Sequence, residues 1–138
     1  MIKRLSHVSI AVESIDDALA FYRDLLGLEV SETVWLDDRQ LRVAFVKIGD
    51  TELELLEPTS KDNTVTRFLE RRGPGLHHIC LEVDDIEAAM DELSARGAEF
   101  VDPEPKRGAV GRVAFILPDV ARGVLVELNQ PDKGTRAH

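Results

Sequence analysis

A short pattern is written twice in this chain. A duplication constrains a fold more than any single motif, because each copy must make the same elements in the same order. His7-Val8-Ser9-Ile10-Ala11-Val12 is echoed 71 residues later by His78-Ile79-Cys80-Leu81-Glu82-Val83. Val43-Ala44-Phe45 returns as Val113-Ala114-Phe115 after 70 residues, and Glu54-Leu55-Leu56-Glu57-Pro58 as Glu127-Leu128-Asn129-Gln130-Pro131 after 73. Order and spacing are kept across these landmarks, which reads as an internal duplication.

In each copy a period-two segment leads into a helical pattern. Ser14 with Asp17 three residues on makes a cap-like start, followed by Ile15, Ala18, Leu19, Tyr22, Leu25 and Leu26 at helical spacing and by Gly27 as a left-handed stop. In the second copy Asp84 or Asp85 is the cap, Ile86, Ala89, Met90 and Leu93 are the buried stripe, and Gly97 is the stop. Strand-like runs follow at 29–35, 42–48 and 51–57, the last two joined by a Gly49-Asp50 turn, and again at 99–101, 112–117 and 124–129. The expectation is an α+β fold of two tandem βαβββ modules in a single domain over 1–138, module 1 spanning about 5–58 and module 2 about 75–131. A polar linker over 59–74 carries a short amphipathic helix around Val65, Phe68 and Leu69.

With 138 residues, 43% of them hydrophobic and 31% charged, the chain has the composition of one globular domain. Its 17 basic residues against 26 acidic ones leave a charge of −9, which argues against nucleic acid or an anionic membrane as a partner. The amino terminus lacks the apolar core of a secretory signal, and no stretch of about 18 apolar residues could cross a bilayer, so the expected location is cytoplasmic. The single cysteine, Cys80, cannot close an internal disulfide, which agrees with a reducing compartment. It reads as a small buried packing residue rather than a nucleophile.

Strand parity then sorts the unusual side chains. Val8, Ile10 and Val12 form the set a helix can cover, which puts His7 and Ser9 on the other face. His78 and Cys80 oppose Ile79, Leu81 and Val83 by the same count, Glu54 opposes Leu53 and Leu55, and Glu127 opposes Val126 and Leu128. A lone strand His or a solvent-facing Glu is ordinary. A face used only for solvation, however, has no reason to repeat a His in the first strand and a Glu in the last strand of both copies. His7, Glu54, His78 and Glu127 are therefore the candidate metal ligands, two imidazoles and two carboxylates that suit Co, Mn, Ni, Fe or Zn as the divalent ion. His77 has the wrong parity and reads as a packing or supporting residue.

These residues resemble the vicinal oxygen chelate superfamily, which includes glyoxalases, bleomycin resistance proteins and dioxygenases. Within it, Glu54 to Pro58, Phe68-Leu69, Gly75-Leu76-His77-His78-Ile79, Glu82 to Ile86 and Gly123 to Leu128 resemble most the methylmalonyl-CoA epimerase family. The resemblance covers about 5–131. It implies an eight-stranded, open, curved sheet with a concave metal site, and carries the ligand roles onto His7, Glu54, His78 and Glu127. It further implies an isomerase that moves a proton on a malonyl-type acyl-CoA through a metal-stabilised enolate. Glu127 is the expected base, with Glu54, or Asp38 by loop position, as its partner. A homodimer is the expected assembly. The other readings are a glyoxalase-like lyase or isomerase acting on a thiol adduct, and a metal-free binding or resistance protein. An extradiol dioxygenase fits less well, because two His and one carboxylate leave the fourth acid unexplained.

Overall fold

A computed structural model of the chain describes residues 1–108 and 110–134. Its elements are β1 (Ile2–Ala11), α1 (Ile15–Leu19) running into a π-helical turn (Ala20–Leu25), β2 (Glu29–Leu36), β3 (Leu41–Ile48), β4 (Thr51–Pro58) and α2 (Thr64–Arg72). The second half has β5 (Gly75–Val83), α3 (Ile86–Ala95), β6 (Lys106–Arg107), β7 (Gly111–Ile116) and β8 (Leu125–Pro131). The strands form one mixed, unclosed sheet of eight in the order β2-β3-β4-β1-β5-β8-β7-β6. No helix among the described residues is long and apolar enough to cross a membrane.

The chain divides into two compact units, one over Val8–His77 and the other made of Met1–His7 with the chain from His78 onward. The division falls inside β1 and β5. The tip of the first repeat's leading strand, with His7, therefore belongs to the unit built by the second repeat.

In the Val8–His77 unit, alternation along β3 and β4 gives each sheet face its own cover. Ile15 and Leu19 of α1 pack with Val12, Ala44, Val46 and Leu55 on one face, while Val65 of α2 packs with Ala11, Val43, Phe45 and Leu56 on the other. In the second unit Ile86, Ala89 and Met90 of α3 cover Val83, Ala114 and Leu128. That leaves His78, Cys80, Phe115 and Glu127 on the face α3 does not cover.

The duplication is visible in the hydrogen bonds. Ser14 Oγ accepts from Asp17 N–H at 3.2 Å, and Asp85 Oδ1 accepts from Ala88 N–H at 3.0 Å, which settles Asp85 as the second cap. Each helix gains a further acceptor from the end of its module's last long strand: Ile15 N–H donates to Glu57 at 2.7 Å, and Ile86 N–H donates to Gln130 at 2.8 Å.

Two expectations are corrected. The first helix does not stay α-helical to Gly27. Leu26 N–H reaches back five residues to the Phe21 carbonyl at 2.9 Å, and this wider winding rotates Leu25 and Leu26 off the buried stripe, leaving both exposed. The strand expected over 99–101 is a single bridge from Phe100 to Ile116, and the edge pairing is made instead by β6 against β7. Asp102, Pro103, Glu104 and Pro105 lie between the two, and the prolines cannot donate to a ladder.

Candidate metal centre

Three of the four residues singled out by repetition meet in one place, within the unit that contains Met1–His7 and the second repeat. Glu127 projects from β8, where its Cα is registered against Phe115 on β7 and Cys80 on parallel β5. Its Oε1 accepts from His78 Nε2 at 3.0 Å and lies 3.4 Å from His7 Nε2. The two rings stand edge to face with centroids 5.6 Å apart, and Phe115 closes on the His78 ring at 5.7 Å. Exposure is 7% for His7, 9% for His78 and 9% for Glu127.

The electrostatics follow from that crowding. Burial pushes the Glu127 carboxyl up, yet the hydrogen bonds from His7 and His78 and the positive charge of the two rings outweigh it, lowering it from 4.5 to about 2. An ionised carboxylate only accepts, so the ring nitrogens facing it carry protons in this arrangement. A divalent ion takes the place of such protons, because neutral imidazole nitrogen and carboxylate oxygen are its natural donors. On the far side of the His7 ring, Nδ1 lies 3.2 Å from Ser6 Oγ, and Ser6 is fully buried. A hydroxyl both donates and accepts, so it can satisfy Nδ1 in either tautomer.

Glu54, the fourth candidate, lies on β4 in the Val8–His77 unit, half-buried, with its Cα registered against Phe45. This repeats the Phe115 to Glu127 pairing of the other module. His77 packs edge to face on Phe68 of α2, with centroids 5.0 Å apart, in the packing role its parity implied. Asp38 is exposed in the short 3-10 turn Asp37–Arg39.

One residue that could bind metal was passed over in the sequence. Cys80 Sγ, a ring nitrogen of His7 and a carboxylate oxygen of Glu127 lie within 4.8 Å of one another. The parity count that placed Cys80 on the His78 face was the available signal. Its reading as a packing residue rested on residue type and mid-strand position, and the burial it implies is observed.

Comparison with known proteins gives a consistent picture. The family described as Glyoxalase/Bleomycin resistance protein/Dioxygenase superfamily matches residues 6–115. Mouse mitochondrial methylmalonyl-CoA epimerase is 44% identical over 129 residues, 92% of this chain and 72% of that protein. The ethylmalonyl-CoA/methylmalonyl-CoA epimerase of Cereibacter sphaeroides is 44% identical over 133 residues, 94% of this chain and 99% of that protein. A variant of Streptomyces coelicolor methylmalonyl-CoA epimerase, solved in complex with 2-nitronate-propionyl-CoA, matches with a TM-score of 0.89 at 33% identity over 99% of both chains.

Proposed function

Because the chain belongs to the Glyoxalase/Bleomycin resistance protein/Dioxygenase superfamily and, within it, to the methylmalonyl-CoA epimerase family of isomerases, we propose that it interconverts the C2 epimers of a malonyl-type acyl-CoA thioester with a divalent metal ion as cofactor. The observation that carries the reading is the convergence of His7, His78 and Glu127, with both Nε2 atoms facing the same carboxylate oxygen. That donor set fits a divalent ion of the Co, Mn, Ni, Fe or Zn group. His7, His78 and Glu127 would hold it. A bound ion supplies positive charge that lowers the cost of an oxyanion developing on the substrate, by several kcal/mol where water is excluded.

The chain's own residues then handle the proton. The C2 hydrogen is already acidified by the adjoining thioester. The Glu127 carboxylate takes this proton on one face while the C–H electron pair moves toward the thioester carbonyl, giving an enolate. A proton returned to C2 from the opposite face restores the carbonyl. Composition is unchanged and only the configuration differs. Crowding by Phe115 and His78 keeps the base in one place, as proton transfer over hydrogen-bond distances requires.

The test is exchange of solvent deuterium into C2 of methylmalonyl-CoA by metal-loaded protein. Wild type should exchange, and Glu127→Gln should lose about 100-fold or more of the rate, the usual weight of a general base, while keeping the folded circular dichroism spectrum. Unchanged exchange in that variant removes Glu127 from the chemistry. Turnover of a glutathione hemithioacetal with no exchange into the thioester would overturn the substrate class.

A further inference from the structure

Cys80 is a donor that the epimerase reading does not use. It follows His78 by two residues on β5, so both side chains leave the same face of the strand. Its thiol lies with His7 and Glu127 in a group whose ligand atoms are all within 4.8 Å, and Cys80 is fully buried. The Nε2 of His78 stands 3.0 Å from the same carboxylate. These donors come from β1, β5 and β8 and all lie in one compact unit.

Resting on the metal reading of this site, we propose that Cys80 is a ligand for soft ions: with His7 and Glu127, and with His78 on the same carboxylate, it completes an N₂OS set that captures thiophilic divalent ions such as Cd²⁺. Thiolate sulfur favours soft and borderline ions over hard ones, whereas imidazole and carboxylate serve both. A tetrahedral ion with bonds of about 2.0–2.3 Å needs its donors about 3.5 Å apart, so shifts of about an ångström close the His7, Cys80 and Glu127 donors on one ion. Coordination breaks the S–H bond, forms the metal–sulfur bond and releases the proton to solvent. Four protein donors around a tetrahedral ion leave no open position, the arrangement of structural rather than catalytic sites. A harder ion that makes no use of sulfur keeps positions free for substrate oxygens. The site thus holds two overlapping ligand sets, and the nature of the ion decides which one forms.

The experiment titrates CdCl₂ and MnCl₂ separately into metal-free wild type, Cys80→Ser and Cys80→Ala, reading near-ultraviolet absorption and calorimetric affinity. Wild type with Cd²⁺ should develop a sulfur-to-metal band that both variants lack. Cd²⁺ affinity should fall at least about tenfold in the variants, while Mn²⁺ affinity stays within about twofold of wild type. A wild-type Cd²⁺ complex without the band, or variants that bind Cd²⁺ as tightly as wild type, would overturn the proposal and leave the epimerase reading intact. Absence of Mn²⁺ binding with the Cd²⁺ band retained would remove Mn²⁺ from the ions of the epimerase reading and support the sulfur ligand.

Discussion

Glu127 keeps its negative charge at a depth where burial pushes its carboxyl up, and it does so because two imidazoles donate to it. This gives the metal-free protein a pH dependence of definite sign. The folded-state carboxyl titrates at about 2 against 4.5 for an ordinary Glu, so between those values the unfolded chain binds more protons than the folded one. The stabilisation is complete above pH 4.5 and is lost as pH falls through about 2. Denaturant unfolding of metal-free wild type and Glu127→Gln over that range should show their difference shrinking toward the acid end; a constant difference would contradict the assignment. That His7, His78 and Glu127 lie on the uncovered face was legible beforehand because strand parity and repetition act on single positions and need no knowledge of distant pairing. The approach of Cys80 to His7 and Glu127 was not, because alternation along one strand does not tell which side chains meet across β1, β5 and β8. Ser6 was hidden for a related reason: adjacent strand residues point to opposite faces, so nothing in the alternation suggests that its hydroxyl reaches the His7 ring.

At the level of elements, the repeated helix starts carry a quantitative expectation. Asp85→Ala removes a side-chain cap and should cost about 1 kcal/mol, read as a lower denaturation midpoint with unchanged slope. Gln130→Ala should cost a similar amount through the other acceptor at the same helix end, about 1 kcal/mol. Gly111 sets a harder limit on β7. A Cβ there would run into the Gln130 carbonyl oxygen and lie 2.8 Å from Pro131 Cα, so Gly111→Ala should destabilise by about 1–3 kcal/mol. A variant as stable as wild type would show that β8 can draw away from β7. The caps and the long strands could be read from the sequence because each rests on local chemistry: Ser14, and Asp84 or Asp85, before an apolar stripe, and Gly49-Asp50 between two alternating runs. The π-helical turn could not, since its apolar residues satisfy the α-helical period equally well on paper. The bridge at Phe100 and the short β6 depend on which partner strand is within reach, and composition does not encode that.

For the molecule as a whole, duplication predicted two similar modules but not that the tip of β1 would join the second module's unit. That exchange brings His7 beside His78 and Glu127. Because the proposed ligands come from β1, β5 and β8, an ion held by them would tie together segments far apart in sequence, and binding to the folded state alone must raise global stability. An ion at about 100 times its dissociation constant adds about 2.7 kcal/mol, so Mn²⁺ should raise the Tm of chelator-treated wild type and leave that of His7→Ala and His78→Ala almost unmoved. Equal shifts in all three would place the ion elsewhere.

The central claim is tested most directly by anomalous diffraction from crystals grown with excess Co²⁺. The account predicts one strong peak within bonding distance of His7 Nε2, His78 Nε2 and a Glu127 carboxylate oxygen. Crystals in which these side chains remain paired to one another, with cobalt bound only at other residues, would contradict it.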